Sequence, residues 1–155
     1  MAEPAPRAGH PYYMHDPIYA QPGALRLVTR GQGDAIAAAA ARLRALDQVL
    51  VTGVGTSWHA ALIGELLLAH IGGLGLKARA LHTFELASYW PDLLAKVGAI
   101  VLSHGGTRRL TREALALVKA SGGTGVLITG KGPEAPPDVD WTLRTVDQGI
   151  FNSNP

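Results

Sequence analysis

Two glycine-rich turns contain the residues whose types and spacing best suit the binding of an anion. Residues 53–57 read G-V-G-T-S and follow the apolar run 49–52. Residues 103–108 read S-H-G-G-T-R and follow a second apolar run, 99–103. A helical pattern begins directly after each turn, and the first turn of a helix offers free backbone N–H groups and the positive end of its dipole. Both turns are therefore predicted to hold a negatively charged group such as phosphate.

The second turn has the more specific chemistry. Two adjacent glycines let a ligand approach the backbone, and the arginines at 108 and 109 carry guanidinium groups that bind phosphate through paired hydrogen bonds. The alternative is that glycines and hydroxyl residues are simply common where strands lead into helices, with Arg109 a solvated helix residue. The predicted ligand-binding residues are Gly55, Thr56, Ser57, Ser103, His104, Gly105, Gly106, Thr107 and Arg108.

Nucleotides and nucleic acids are poor candidates for the ligand. Neither turn has the G-x-x-x-x-G-K-[ST] pattern, and the G-x-G-x-x-G pattern fails after residue 52 because Trp58 stands at the third glycine. A net charge of +2, without a run of basic residues, does not favour nucleic acid.

Histidines and one carboxylate near the turns are the candidates for acid–base chemistry. His104 is the best placed, since a histidine inside the turn can transfer a proton or donate a hydrogen bond to phosphate. His59, His82 and Glu85 are further candidates, although His59 reads more simply as a packed or capping residue. The chain has no cysteine, and no pair of histidines has ligand spacing with a carboxylate, so we expect neither a metal nor another cofactor.

The elements that position these turns alternate between apolar strands and helices. Near-continuous apolar strands separated by helices predict an α/β fold, a doubly wound open parallel five-stranded sheet with helices on both faces. In such sheets ligands bind beyond the carboxyl ends of the strands, near the reversal of strand order. The predicted strands are residues 49–52, 77–82, 99–103, 125–129 and 141–146, and the predicted helices are 23–29, 35–46 with Asp34 as N-cap, 58–71, 84–89 and 110–120.

Two segments resemble a known family. Residues 14–22, M-H-D-P-I-Y-A-Q-P, resemble M-x-K-E-I-x-E-Q-P, and residues 55–60, G-T-S-W-H-A, resemble G-T-S-Y-H-A. Both motifs belong to the sugar isomerase (SIS) domain that forms the isomerase half of glutamine–fructose-6-phosphate aminotransferases. The resemblance covers residues 14–148 and implies a flavodoxin-like sandwich in which Thr56 and Ser57 contact a sugar phosphate.

The chain also departs from this family in two places. Residues 103–108 stand where the family has S-Q-S-G-E-T, so that two phosphate-binding hydroxyls are lost and Arg108 is gained. This predicts phosphate bound through different contacts, or a ligand of different charge. Residues 149–155 do not resemble the family's continuation, which contains its catalytic glutamate, histidine and lysine. We therefore expect residues 1–13 to form a flexible arm, 14–148 the SIS domain and 149–155 a divergent tail, in a truncated half of a longer protein.

The resulting hypothesis is a phosphosugar-binding SIS domain related to glucosamine-6-phosphate synthase or to sugar-phosphate deglycases, not catalytically complete alone. The alternatives are a regulatory module that senses a sugar phosphate without isomerase activity, and a non-functional fragment. The resemblance implies a homodimer or a missing second SIS domain as partner, and the alanine-rich helix could form the dimer seam or cover the sheet. No apolar stretch reaches the roughly 18 residues of a membrane span, so a cytoplasmic protein without membrane or nucleic-acid partners is expected.

Overall fold

The structure is a computed structural model that describes residues 9, 11–12, 15–90, 96–130 and 134–145. Its strands are β1 (Val49–Thr52), β2 (Ala78–Ala80), β3 (Gly98–Ser103), β4 (Thr124–Thr129) and β5 (Trp141–Arg144). Its α-helices are α1 (His15–Leu27), α2 (Gly33–Arg44), α3 (Thr56–Leu66), α4 (Thr83–Tyr89) and α5 (Arg109–Ala120). A π-helical segment, Leu67–Ile71, continues α3, and a 3₁₀ turn, Gly75–Lys77, leads into β2.

The five strands form one parallel sheet in the order β2-β1-β3-β4-β5. This confirms the predicted doubly wound α/β fold. After β1 the chain crosses to β2 at one edge, and after β2 it returns to β3 on the other side of β1. The strand order therefore reverses between β1 and β3, which is the place where sheets of this kind bind ligands.

Helices cover both faces of the sheet and bury its side chains in two clusters. On one face α2 contributes Ala39 and Leu43, which pack with Val49 and Val126. The close approach of α2 depends on Gly98, because a Cβ atom there would lie 2.5 Å from a terminal methyl of Leu43. The alanine-rich helix thus covers the sheet, one of the two roles considered for it.

Helices α4 and α5 pack on the opposite face. The buried residues of α5 recur with helical spacing, which places them on the single side that faces β3 and β4. Leu86 of α4 and Leu50 of β1 complete this second cluster. The buried residues of α5 are Thr111, Ala114, Leu115 and Val118.

Asp140 ties the end of α5 to the start of β4 and β5. Its carboxylate accepts hydrogen bonds from Nζ of Lys119 and from the backbone N–H of Gly125, both at 2.8 Å. Partial burial raises the pKa of this carboxyl, but the two hydrogen bonds and the positive charges of Lys119 and Arg42 outweigh it, and the pKa lies below its ordinary value. The ionised form of Asp140 is therefore favoured by the fold.

The structure corrects several details of the predicted elements. Strand β2 is Ala78–Ala80 rather than 77–82, and the predicted helix 58–71 is α3 from Thr56 to Leu66 followed by the π-helical segment. Helix α1 begins at His15 rather than at 23 and includes Pro22. Asp34 is not the N-cap of α2; Gln32 holds that position, and its side-chain amide instead exchanges two hydrogen bonds with the backbone of Arg144. Most of the predicted arm and all of the tail lie outside the described residues, as does residue 146 at the end of the predicted fifth strand. None of the helices in the described part of the chain has the length and apolar composition needed to cross a membrane.

Candidate functional site

The two predicted turns lie side by side at the carboxyl edge of the sheet. Thr52, the last residue of β1, pairs with Val101 of β3, and β3 continues two residues further to Ser103. The turns that follow these neighbouring strands therefore flank the reversal of strand order. The fold brings together all nine predicted ligand-binding residues at this edge.

The first turn is compact and depends on two glycines. Gly55, the N-cap of α3, has φ +62° and ψ −128°, a conformation that side-chain-bearing residues rarely adopt. A Cβ atom on Gly53 would lie 2.5 Å from the backbone of Ser57. The turn presents an exposed Thr56 and a half-buried Ser57, neither of which has a side-chain hydrogen bond to another described residue.

The second turn is held by the hydroxyl of Ser103. This oxygen accepts hydrogen bonds from the backbone N–H of Gly106 at 3.2 Å and from the hydroxyl of Thr111 at 3.0 Å. Ser103 still has its own proton to donate. Its first role is therefore to shape the turn and fasten it to α5, while a ligand receives at most one hydrogen bond from it.

The start of α5 provides the open backbone donors of the site. The first intrahelical hydrogen bond runs from Arg112 N–H to Arg108 C=O, at 3.1 Å. The three preceding N–H groups, those of residues 109–111, have no helical carbonyl to bond. Thr107 lies exposed just before them. This arrangement suits an anion placed against the first turn of α5.

The two arginines at this helix start differ in their partners. Arg109 pairs with Glu113 one turn later, at 2.9 Å, with 74% and 41% of the two side chains exposed. Arg108 is exposed and makes no hydrogen bond or ion pair within the described residues. Arg108 therefore adds an uncompensated positive charge beside the N-terminal end of the α5 dipole.

The candidate acid–base residues differ in their contacts and in their exposure to solvent. His82 is the N-cap of α4, where its Nδ1 accepts a hydrogen bond from Phe84 N–H at 3.3 Å, and its ring meets the Trp58 ring edge-on at 5.5 Å. These contacts give His82 a structural role. His59 and Glu85 are exposed in the first turns of α3 and α4. His104 alone among the four lies within one of the two turns.

Threonines that the sequence analysis did not select hold both turns in place. Thr83 N–H donates to Gly53 C=O at 3.2 Å, and the hydroxyls of Thr83 and Thr52 share a buried hydrogen bond of 2.9 Å. The hydroxyl of Thr129 donates to His104 C=O at 3.0 Å. The available signal was a threonine at the last position of both β1 and β4.

The site is distinct from an apolar cavity of about 160 Å³ between α2, the π-helical segment and the sheet. Ile36, Leu68 and Ile100 are among its lining residues, and none of the predicted ligand-binding residues reaches it. Within the described ranges, no group of three or more histidine, aspartate or glutamate side chains is placed to hold a metal ion.

Comparisons with known proteins place this arrangement in a family. The chain is 30% identical over 149 residues to the glutamine–fructose-6-phosphate aminotransferase of Thermococcus kodakarensis and 29% identical over 147 residues to that of Aeropyrum pernix, with 92% of the chain covered in each case. Its fold matches the C-terminal domain of the Francisella tularensis glucosamine-fructose-6-phosphate aminotransferase with a TM-score of 0.74 and 18% identity. The match covers 91% of the chain and 41% of the solved C-terminal domain. The chain is an SIS domain.

Two further proteins with solved structures share this fold. The chain superimposes on Vibrio vulnificus NanR, solved in complex with ManNAc-6P, with a TM-score of 0.67 and 16% identity over 87% of the chain and 51% of that protein. The sugar isomerase domain of the RpiR transcription factor from Sphaerobacter thermophilus matches with a TM-score of 0.62 and 23% identity over 88% of the chain and 79% of that protein. No protein-family profile matches this SIS domain. It spans about a quarter (24%) of the length of the aminotransferases it resembles.

Proposed function

We propose that this SIS domain binds a phosphorylated sugar across the turns that follow β1 and β3. The observation that carries the proposal is the start of α5, where open backbone N–H groups lie beside the unpaired guanidinium of Arg108 at the reversal of strand order. Phosphate has the charge and the number of acceptor oxygens that such a donor set requires. The complex of the similarly folded NanR with ManNAc-6P supports this ligand class.

The two turns divide the ligand between them. The phosphate takes the N–H groups of residues 109–111, the Thr107 hydroxyl and the Arg108 guanidinium, while Gly105 leaves the backbone accessible. The hydroxyls of Thr56 and Ser57 face the sugar from the neighbouring turn. Arg108 thereby compensates for the hydroxyls that the second turn lacks relative to the resembled family, because a guanidinium can bind two phosphate oxygens at once.

We propose that the chain alone binds this ligand without completing an isomerisation. Moving a proton between C1 and C2 of a sugar needs a positioned base and a group that opens the ring. His104 is the base candidate of the two turns. A sensor role is the second candidate, favoured by the fold shared with NanR and the RpiR transcription factor.

Exchange of the hydrogens on C1 and C2 of the sugar with solvent distinguishes these two functions. An isomerase incubated with its sugar phosphate in D₂O incorporates deuterium at C1 or C2, which ¹H NMR detects as loss of the corresponding signal. A sensor binds the same ligand and leaves these signals unchanged. Exchange that disappears in His104→Ala would identify His104 as the base, whereas exchange that persists in this variant would exclude it.

The cell compartment and the assembly follow from the same proposal. A sugar phosphate is charged and does not cross membranes freely, so we propose that the domain works in the cytoplasm, where such ligands are made. We also propose that it acts as a homodimer, as the family resemblance implies.

Binding is tested by thermal unfolding of the full chain with fructose-6-phosphate, glucosamine-6-phosphate and the corresponding free sugars. At about 100 times its Kd a ligand stabilises the folded state by about 2.7 kcal/mol. For a chain of this size, that corresponds to a Tm increase of about 5–10 °C. We expect the increase with a phosphorylated sugar and a smaller one with the free sugar. A folded sample whose Tm moves with none of the phosphorylated sugars contradicts the proposal.

Arg108→Ala tests the phosphate contact itself. Loss of a charge-assisted hydrogen bond costs about 1.5–3 kcal/mol, so we expect the Kd for the phosphorylated sugar to rise about 10- to 100-fold. Arg112→Ala is the matched control, because it removes the same charge from an exposed position one turn further along α5. Isothermal titration calorimetry measures both variants. Equal affinities in the two variants would contradict a direct contact between Arg108 and the phosphate.

A further inference from the structure

A third turn, the one that follows β2, lies beside the candidate site. Strand β2 pairs with β1 on the side away from β3. Leu81 N–H donates to Val51 C=O at 3.0 Å, and Thr83 N–H donates to Gly53 C=O at 3.2 Å. His82 stands between these two anchored residues. Its backbone is therefore held against the turn that follows β1, at the carboxyl edge of the sheet.

Two contacts orient the imidazole ring of His82. Nδ1 accepts a hydrogen bond from Phe84 N–H at 3.3 Å, and the ring meets the Trp58 ring edge-on at 5.5 Å. Trp58 directly follows Ser57 in the first turn of α3. Edge-to-face contact is a favourable arrangement of two rings. The ring of His82 is thus attached both to α4 and to the helix that begins at the ligand site.

The hydrogen bond to Nδ1 also decides which ring nitrogen of His82 has the proton. In a neutral imidazole one nitrogen donates and the other accepts. Because Nδ1 accepts, Nε2 has the proton. Among the described residues Nε2 has no hydrogen-bond partner, and the side chain is only half-buried. His82 therefore retains one N–H donor that its capping role does not use.

The order of the strands sets the order of the three turns along a bound ligand. Neighbouring strands lie about 4.8 Å apart, so the turns after β2 and β3 are separated by about 10 Å, with the turn after β1 between them. An extended six-carbon sugar phosphate has a similar length. With the phosphate at the start of α5 and the sugar across Thr56 and Ser57, as proposed above, the C1–C2 end lies nearest to His82.

We propose that Nε2–H of His82 donates a hydrogen bond to an oxygen on C1 or C2 of the sugar. This inference rests on the proposed sugar-phosphate binding and adds His82 to the nine predicted ligand-binding residues. A neutral imidazole N–H requires an acceptor on the ligand. The ligand class is therefore a phosphorylated sugar of about six carbons with a hydroxyl or carbonyl oxygen at that end, because a three-carbon phosphate ester does not reach from α5 to β2.

The experiment compares fructose 6-phosphate with glycerol 3-phosphate, which has the same phosphate ester on a three-carbon chain. His82→Ser removes the Nε2 donor but keeps a good N-cap, because a serine hydroxyl also accepts a backbone N–H there. We expect the Kd for fructose 6-phosphate to rise about three- to tenfold, the effect of losing one neutral hydrogen bond. The Kd for glycerol 3-phosphate should stay unchanged.

Isothermal titration calorimetry of the full chain at about pH 8, where an imidazole is neutral, measures these constants. His70→Ser is the matched control, since His70 is exposed in the π-helical segment, at the end of α3 opposite to the site. This variant should bind both ligands as the wild type does.

Each outcome of the titrations supports or overturns the proposal. Unchanged affinity of His82→Ser for fructose 6-phosphate overturns it and leaves the proposed function intact. Equal losses for both ligands overturn it as well, because they would show that His82 only shapes the turn. A wild type that binds neither ligand contradicts the proposed function itself, and the role of His82 fails with it.

A measurement on the wild type tests the donor without a substitution. Long-range ¹H–¹⁵N correlation spectra distinguish a protonated from an unprotonated nitrogen in an imidazole ring. At about pH 8 we expect Nδ1 of His82 to be unprotonated and Nε2 to be protonated. Saturating fructose 6-phosphate should shift the Nε2 resonance of His82 more than that of His70. The opposite tautomer, or no such shift, would overturn the proposal.

Discussion

At the scale of single residues, Gly106 combines two requirements in the turn that follows β3. Its φ of +70° favours glycine, and a Cβ atom would lie 3.2 Å from the hydroxyl of Thr129 and 3.3 Å from a methyl of Leu127. Its N–H donates to Ser103. A side chain at this position therefore disturbs the backbone, the packing beneath it and the hydrogen bond that shapes the turn.

Gly106→Ala is expected to lower the free energy of unfolding more than Gly122→Ala. Gly122 has a similar φ, +72°, but no atom lies within 4 Å of its missing Cβ. The control therefore shows the cost of the backbone conformation alone, about 1–2 kcal/mol. Urea denaturation measures the free energy of unfolding of both variants. Equal losses would show that the turn accommodates a methyl group, and we expect weaker sugar-phosphate binding only for Gly106→Ala.

Sequence alone indicated the composition of both turns but not the bonds that hold them. Glycines and hydroxyl residues between a strand and a helix give a local signal, so Gly55 and Ser103 were recognisable. The bond from Thr129 to His104 C=O joins residues 25 positions apart and exists only because β3 and β4 pair in a particular register. Such partners cannot be read from local spacing.

At the scale of elements, the alternation of apolar strands and amphipathic helices was sufficient to predict the sheet. Helix α5 is an example, because its buried residues recur every three or four positions and this spacing is visible in the sequence. The predicted start of α2 was wrong because it was inferred from local residue chemistry alone. Asp34 has the chemistry of an N-cap, but Gln32 occupies that position and bonds to a strand 112 residues away. The start of α2 therefore coincides with the hydrogen bonds between Gln32 and Arg144, which local propensity does not reveal.

Asp140→Ala is expected to loosen the junction of α5, β4 and β5. The buried N–H of Gly125 loses its carboxylate partner, which costs about 1–3 kcal/mol. Because the folded-state pKa of Asp140 lies below the unfolded one, its stabilisation is present above about pH 4 and is lost as the pH falls through the folded-state pKa.

Urea denaturation at pH 7 and near pH 3 measures this dependence. The difference in stability between wild type and Asp140→Ala should be large at pH 7 and smaller at the lower pH. A difference that stays constant over this range would show that the charge of Asp140 contributes nothing and that its role is packing alone. Asp138→Ala, which removes a nearby carboxylate for which no hydrogen bond or ion pair is found among the described residues, is the control.

At the scale of the whole molecule, the proposed homodimer would link stability to protein concentration. A partner that binds only the folded state raises the apparent stability by mass action. We expect the Tm of the wild type to increase when the chain concentration is raised about a hundredfold. The Tm of Ile63→Glu should stay constant if the copies pair through the exposed aliphatic side of α3, where Ile63 is 59% exposed. Differential scanning calorimetry measures both, and a concentration-independent wild-type Tm would contradict stable pairing.

The position of α2 in the fold has a consequence for how the chain is made. Helix α2 packs against β4 and β5, and the side-chain amide of Gln32 bonds to the backbone of Arg144 as well as to Val28 C=O. A ribosome releases α2 and β1 well before β4 and β5, so the contacts of α2 with β4 and β5 can form only after its contact with Val49 of β1. Contacts of such long sequence separation delay folding and prolong exposure to aggregation. A product released before residue 141 would lack the contacts between α2 and β5, and we expect it to be less soluble than the longer chain.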